Sequence, residues 1–158
     1  MCSVCKTIID RVYRSILLLI FSLYGKTLYN LSVVDLPRAT AFYEALGFAK
    51  NTQFSNEDAS AMVYDDTLSV ILLTHGFCAG FLGKKTISDA HTTTEVLNAL
   101  QFDSKTKVDV FFDKAIAAGG KKTIETYDHG FMYGRDFEDL DGHIWEVFWM
   151  DTTQMSKK

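Results

Sequence analysis

The chain has 158 residues, of which 47% are hydrophobic and 13% aromatic, enough for the buried core of one domain or of two small modules that share a core. Its 16 basic and 20 acidic residues give a formal net charge of −4 without a dense basic cluster, which argues against nucleic-acid binding. The three cysteines, Cys2, Cys5 and Cys78, do not form a disulfide framework, so we expect a reducing compartment, the cytoplasm.

The first 26 residues differ in composition from the rest of the chain. Arg11 and Arg14 precede an apolar run at residues 16–24, which is shorter than the roughly 20 apolar residues of a membrane-spanning helix. The order of these segments is similar to that of a signal peptide, although Tyr24 and Gly25 make a poor cleavage site. We therefore predict an extra helix that packs on the domain or on a second subunit. An appended upstream segment is the other interpretation.

Residues 27–75 have the pattern of one strand, one helix and three further strands. Asp35 follows a strand at residues 28–34 and stands at the N-cap position of a helix, with Pro37 in its first turn and Gly47 at its end. Strand-like runs follow at residues 48–54, 59–64 and 68–74, separated by polar turns. The helix carries apolar residues at helical spacing: Ala39, Phe42, Tyr43 and Leu46.

Residues 95–150 repeat this order of elements. A strand at residues 96–102 leads to a helix that is capped by Asp103 or Ser104, and strands follow at residues 122–127, 131–137 and 144–149. Each module alone would leave one face of its sheet unburied. The repeat therefore predicts an α+β fold, in which two βαβββ modules form curved mixed sheets around a cavity, within a domain at residues 27–151.

A glycine-containing connector joins the modules at residues 76–94. Connections of this length are often functional, so the segment is a candidate lid over the cavity. A simple linker with one helical turn is an equally good interpretation.

The tail of the second module carries one carboxylate in an apolar strand. An Asp-Gly turn at residues 141–142 leads into the strand, where Glu146 shares one face with Ile144 and Phe148 because side chains alternate between faces. A carboxylate in such surroundings needs a cation, a metal or a hydrogen-bond donor. Glu146 is therefore either part of a functional site or a satisfied structural contact.

Two segments together resemble a known family. The helix DLPRATAFYEALGF at residues 35–48 is similar to the first helix of the vicinal oxygen chelate superfamily, and DLDGHIWE at residues 139–146 resembles the last turn and strand of that family. The superfamily includes glyoxalase I, bleomycin and fosfomycin resistance proteins, and extradiol dioxygenases. The resemblance covers about residues 27–151 and implies the paired-module fold, but it does not specify a reaction.

In metal-using members, the resemblance implies four ligands from the first and last strands of the two modules. These positions fall near Leu28, Leu72 and Leu97, and at Glu146, so only one side chain can bind a hard cation. Shifting any of the first three by one residue yields no His, Glu or Asp. A single carboxylate holds a divalent ion weakly. We therefore expect no cofactor, with Glu146 as the one ligand if a divalent metal binds.

Arg135 and two asparagines are candidates for ligand binding. Arg135 lies in a segment expected to pair with the last strand, so it either neutralises Glu146 or clamps an anionic substrate. Asn30 precedes Asp35 by five residues, as Asn98 precedes Asp103. The two amides either line the cavity or form hydrogen bonds at the sheet edges.

Histidines and aromatic residues complete the candidate set. His75 and His129 are candidates as acid, base or ligand, although a lone histidine in a turn is more often a surface residue. Tyr133 and Phe148 belong to an aromatic set that exceeds the needs of a minimal core. Rings that face the cavity would stack on a flat or cationic ligand, with Glu146 as the counter-charge.

Two classes of function remain open at this point. The first is a protein that binds an aromatic or cationic small molecule without the full family metal site. The second is a glyoxalase-like lyase in which Glu146 is the base, with or without a divalent metal. An interaction protein that uses the N-terminal helix is a third interpretation. In each case we expect a homodimer, no membrane span and no nucleic-acid partner.

Overall fold

The first module follows the predicted order of elements. A computed structural model of the chain describes residues 27–154, and the predicted helix at residues 1–26 lies outside them. The elements are β1 (Thr27–Val33), α1 (Leu36–Leu46), β2 (Ala49–Asn51), β3 (Ala59–Val63) and β4 (Leu68–Thr74). The sheet order is β1-β4-β3-β2, with β1 parallel to β4 and the other pairs antiparallel.

The second module repeats the arrangement with one more strand. After a short helix α2 (His75–Ala79), its elements are β5 (Asn98–Phe102), α3 (Lys105–Ala117), β6 (Lys121–Lys122), β7 (Tyr127–Asp128), β8 (Met132–Glu138) and β9 (Ile144–Met150). The sheet order is β5-β9-β8-β6, and β7 pairs separately with β8. The predicted α+β fold of two mixed sheets is confirmed, whereas the strand predicted at residues 122–127 is two short strands instead.

Local chemistry sets the ends of both long helices. Asp35 caps α1 by accepting a hydrogen bond of 2.9 Å from the Arg38 amide, and Gly47 ends the helix at a φ of 106°, which favours glycine. Ser104 caps α3, because its hydroxyl accepts from the Lys107 amide at 3.3 Å. Of the two residues predicted as the cap of α3, the second is therefore the one used.

The core lies between the two sheets and contains both long helices. The Phe42 ring of α1 lies 6.4 Å from the Phe137 ring of β8, and the Phe111 ring of α3 lies 5.8 Å from Tyr64, which follows β3. Each helix therefore contacts the opposite module as well as its own. The helix-facing sides of the two sheets share one core. Their other sides, which we call the outer faces, are turned away from each other.

A buried hydrogen-bonded junction joins the modules. The Tyr43 hydroxyl of α1 donates to Asp139 Oδ2 at 2.8 Å and accepts from Trp145 Nε1 at 3.1 Å. Asp139 Oδ1 accepts from the amides of Asp141 at 3.0 Å and His143 at 2.9 Å, which fixes the turn before β9. Burial raises the pKa of Asp139 and that of Tyr43. The two segments that carry the family resemblance meet at this junction.

Among the helices of residues 27–154, none has the length and apolar sequence needed to cross a bilayer.

Candidate functional site on the outer face of the second sheet

Glu146 lies near the middle of the second sheet, on its outer face. Strand β9 runs between β5 and β8, so Glu146 is flanked by Ala99 on one side and Asp136 on the other. Its neighbours along β9, Trp145 and Val147, point into the core. The alternation predicted for this strand is therefore confirmed, and the half-buried Glu146 side chain is accessible from the outer face.

Tyr127 holds one oxygen of the Glu146 carboxylate. Its hydroxyl donates to Glu146 Oε1 at 2.7 Å, from β7 across strand β8. Gly134 lies directly opposite Tyr127, and a Cβ at that position would collide with the Tyr127 hydroxyl and ring. Burial and the hydrogen bond to Glu146 raise the pKa of Tyr127 well above its ordinary value. Tyr127 therefore remains a neutral donor at physiological pH.

Asp136 lies beside Glu146 on the neighbouring strand, and the two carboxylates share the outer face. Burial, followed by the charge of Glu146, raises the pKa of Asp136 to about 6. Thr123 forms a backbone hydrogen bond with Asp136 at 3.2 Å. Among the described residues, Asp136 Oδ1 and Thr123 Oγ1 are buried polar atoms without a hydrogen-bond partner. The site thus has unused hydrogen-bonding capacity next to Glu146.

Arg135 faces the helices, so the predicted ion pair between Arg135 and Glu146 is wrong. The Arg135 side chain lies on the opposite side of the sheet, where Nη1 contacts Asp109 Oδ1 at 3.0 Å and Asp113 Oδ1 at 3.1 Å. Its guanidinium lies 3.7 Å from the centre of the Phe112 ring. Alternation along β8 causes this placement, because Asp136, and not Arg135, is the residue opposite Glu146.

Tyr133 shares the helix-facing side with Arg135. Its hydroxyl donates to Asp109 Oδ1 at 2.7 Å. Burial, together with that hydrogen bond, raises the pKa of Tyr133 to about 12. Tyr133 and Arg135, both candidates for ligand binding, are therefore part of the packing between α3 and β8 and lie away from Glu146.

The two candidate asparagines occupy different faces of their sheets. Asn30 is exposed on the outer side of β1, whereas Asn98 is buried on the helix-facing side of β5 and donates to the Ile144 carbonyl at 3.1 Å. The two asparagines differ because Ser104, and not Asp103, is the N-cap of α3. Asn98 precedes Ser104 by six residues while Asn30 precedes Asp35 by five, and one residue of shift reverses the face. Asn98 is thus a structural donor.

Phe148 and His129 lie near Glu146, whereas His75 does not. Phe148 is half-buried on the outer face, opposite Gly134. The exposed His129 ring lies 5.8 Å from the Tyr127 ring, at the rim of the site. His75 begins α2 in the other module and lines a small hollow with His91 and His143.

The positions that the family uses for a metal do not fit a metal here. Leu28 and Leu97 are 52% and 56% exposed hydrocarbon, and Leu72 is fully buried against the helices. Register makes Ile71 the counterpart of Glu146, because Ile71 pairs with Asn30 in the first module as Glu146 pairs with Ala99. Within residues 27–154, no group of three or more His, Cys, Asp or Glu side chains is placed to hold an ion.

The connector borders a separate pocket. Beyond α2, residues of this segment lie along β1 and line an open pocket of about 400 Å³. The pocket wall includes Asn30, Cys78, Asn98 and His143, but not Glu146. Ala90 and His91 also pack against Gly142, where a Cβ would lie 2.7 Å from their atoms. The connector is therefore part of a wall beside β1, away from Glu146, and its role as a lid over a cavity stays a prediction.

The paired βαβββ modules and the strand order repeated in their sheets define the structural class, and comparison with known proteins agrees with it. The family model for the Glyoxalase/Bleomycin resistance protein/Dioxygenase superfamily matches residues 27–147. The chain belongs to this superfamily. Comparison with curated proteins gave no match.

Solved structures of the same fold come from several bacteria. A hypothetical protein from S. aureus is 26% identical, with a TM-score of 0.67 over 80% of this chain and 94% of that one. A glyoxalase-related enzyme from Fulvimarina pelagi is 20% identical, with a TM-score of 0.66 over 80% and 88%. Fosfomycin resistance protein FosX from Listeria monocytogenes is 18% identical, with a TM-score of 0.59 over 84% and 98%. The structures from Fulvimarina pelagi and Listeria monocytogenes support the fold alone.

Four residues of the site escaped the sequence analysis: Thr123, Tyr127, Gly134 and Asp136. A usable signal existed for Asp136, because a tight turn at residues 139–143 sets the register of β8 against β9. Counting back across that turn places Asp136 opposite Glu146. Tyr127 reaches Glu146 only through a separate two-residue strand, for which the sequence carries no periodic signal.

Proposed function

We propose that this protein binds a small organic cation on the outer face of the second sheet, with Glu146 as the counter-charge. The observation that carries the proposal is the pair of adjacent carboxylates, Glu146 and Asp136. In the described part of the chain, neither forms an ion pair with a basic side chain. A bound cation would neutralise this negative charge and could donate a hydrogen bond to the Glu146 carboxylate.

Aromatic and apolar side chains surround the carboxylates and favour a ligand with a flat or apolar part. Phe148 and Tyr127 lie next to Glu146, and Met132 and Met150 continue the same face. Aromatic rings attract cations by about 0.5–2 kcal/mol, depending on how far the pair is shielded from water. This set suits an aromatic or amphipathic cation better than a bare metal ion.

Benzamidinium, a flat cation, tests the proposal in a calorimetric titration. We expect Glu146→Gln to weaken binding at least tenfold while the unfolding temperature stays within 2 °C, because one charged hydrogen bond is worth about 1.5–3 kcal/mol. Glu44→Gln is the matched control, since Glu44 is an exposed carboxylate on α1. Equal binding by wild type and Glu146→Gln would reject the cation site.

Binding in our proposal requires no cofactor. The test is the metal content of protein purified without chelator, combined with a thermal-shift titration of Ni²⁺, Zn²⁺, Mn²⁺ and Fe²⁺, because a ligand of the native state raises its stability. A stoichiometric metal with a clear shift would overturn this part of the proposal.

A glyoxalase-like lyase with Glu146 as base is the second candidate function. The position of Asp136 beside Glu146 favours it, because burial and the charge of Glu146 raise the pKa of Asp136 to about 6, so Asp136 could donate a proton next to the base. Glyoxalase-type turnover that Glu146→Gln abolishes without unfolding the protein would put the lyase first. No turnover, with intact benzamidinium binding, would leave the binding function.

We also propose a homodimer in the cytoplasm. The outer faces of the two sheets are turned away from each other and carry exposed leucines, Leu28 and Leu97. A second copy of the chain would cover these residues and bring a first-module face opposite a second-module face. The cytoplasmic location is inferred from cysteine usage.

A further inference from the structure

The Tyr127 side chain can reach Glu146 because Gly134, which lies between them, has no side chain. The ring crosses strand β8 at Gly134, and its hydroxyl ends at Glu146 Oε1. In the described part of the chain, the other carboxylate oxygen, Oε2, accepts no hydrogen bond. The carboxylate is therefore anchored at one oxygen and available at the other.

We propose that Tyr127 is a positioning residue that orients Glu146, so that the site selects cations with N–H donors over quaternary ammonium ions. This inference rests on the proposed function, because it concerns the same site. It names the class of ligand, amidinium, guanidinium or primary ammonium, and the residue that sets the preference.

The preference follows from the directionality of hydrogen bonds. An N–H donor gains its full interaction only when the accepting oxygen lies along the N–H direction, and a fixed carboxylate presents that oxygen without further loss of rotamer entropy. A quaternary ammonium ion has no such donor and responds only to charge and to the aromatic surface. Fixing the carboxylate therefore strengthens binding of the first class and leaves the second almost unchanged.

A purely structural role for Tyr127 is the competing explanation. An aromatic ring that covers a glycine on a neighbouring strand is a known device for stabilising sheets. Such a role would lower stability when the ring is disturbed, but it would not change the relative affinity for two cations. The ratio of the two dissociation constants is therefore the readout that separates the two roles.

The experiment compares benzamidinium with phenyltrimethylammonium in calorimetric titrations of the full chain. We expect wild type to prefer benzamidinium at least tenfold, and Tyr127→Phe to reduce the ratio to about two, because removing the hydroxyl leaves the ring in place but frees the carboxylate. Tyr133→Phe is the matched control, since the Tyr133 hydroxyl bonds Asp109 on the opposite side of the sheet. It should keep the wild-type ratio.

A substitution at Gly134 should also disrupt the hydrogen bond between Tyr127 and Glu146. Gly134→Ala removes the space that Tyr127 occupies, so we expect it to lower the ratio as Tyr127→Phe does. The double variant should show no further loss, because both changes disrupt one interaction. Unfolding temperatures of all variants identify any variant that fails to fold. If Gly134→Ala fails to fold, Tyr127→Phe alone is sufficient to test the inference.

The possible outcomes distinguish a failure of the Tyr127 inference from a failure of the proposed cation binding. Loss of preference in Tyr127→Phe, with retention in Tyr133→Phe, supports positioning by Tyr127. An unchanged ratio in Tyr127→Phe, or equal affinities in wild type, overturns the inference while the cation site stands. Failure of wild type to bind either cation at millimolar concentration rejects the cation site and the inference together.

Discussion

We expect Asp136 to make the stability of the fold depend on pH. Its pKa is raised to about 6 in the folded chain, first by burial and then by the charge of Glu146, whereas an unfolded aspartate titrates near pH 3.9. Between about pH 4 and 6 the folded protein therefore holds a proton that the unfolded chain releases. By linkage, stability falls as pH rises through this window.

The variant Asp136→Asn should remove this pH dependence. We expect a gain of roughly 1 kcal/mol in the free energy of unfolding at pH 7.5, a figure already reduced for solvent screening of a partly exposed group, and little change at pH 4. Urea denaturation at the two pH values measures the difference. The control is Asp66→Asn, which removes an exposed carboxyl from a turn of the first module. Parallel pH profiles for wild type and Asp136→Asn would contradict the prediction.

One buried carboxylate holds the turn between β8 and β9. Asp139 is 4% exposed and accepts hydrogen bonds from the Tyr43 hydroxyl and from the amides of Asp141 and His143. Charged acceptors with several donors are among the more strongly stabilising polar contacts. This turn therefore depends on α1 of the other module for its conformation.

Substitution of Asp139 should destabilise the whole chain. We expect Asp139→Ala to lower the free energy of unfolding by about 2–4 kcal/mol, because it leaves three donors without their acceptor, and Tyr43→Phe to lower it by about 1–2 kcal/mol. Urea denaturation gives both values. A comparison substitution in an exposed turn, Asp65→Ala, removes local hydrogen bonds without affecting the module junction. A loss from Asp139→Ala no larger than that from Asp65→Ala would disprove the role of the junction.

Elements were easier to predict than the faces on which their side chains lie. The caps at Asp35 and Gly47 and the strand of Glu146 follow from local chemistry and alternation, so the sequence was sufficient for them. The face of Asn98 depended on which of two adjacent residues caps α3, and local preference does not separate aspartate from serine at that position.

Predicting the candidate site required the register between neighbouring strands as well as the sequence of β9. Arg135 and Asp136 are adjacent in sequence, and only the register of β8 against β9 decides which of them meets Glu146. Tyr127 meets Glu146 because the β6 to β7 segment folds over Gly134, which is a tertiary arrangement. Glu146 itself was identifiable, since a carboxylate on an apolar strand stands out without any partner being known.

The family motifs have a structural role in joining the two modules. Tyr43 comes from the helix segment, and Asp139 and Trp145 come from the tail segment, yet together they form the junction between modules. Residues of the two motifs thus hold the two modules of this chain together. Chemistry on the outer faces is free to differ, as expected for a scaffold that hosts unrelated functions.

The outward orientation of both sheets leads to a prediction about assembly. Light scattering should give twice the mass of one chain, and Leu28→Asp should shift the protein toward monomers, because a charge cannot be buried in an apolar contact without a partner. Val110→Asp is the control, since Leu28 and Val110 are both 52% exposed but Val110 lies on helix α3. A monomeric wild type, or equal effects of the two substitutions, would refute the dimer.

The wall beside β1 covers part of an exposed sheet edge. Strand β1 is at the edge of its sheet, and the unpaired backbone groups of an edge strand can pair with other chains. The segment after α2 passes along part of this edge, and His143 Nε2 meets the Ser32 carbonyl at 2.9 Å. We expect the connector to shield this edge from other chains independently of any ligand, so a shortened connector should leave the backbone groups of β1 more open to pairing.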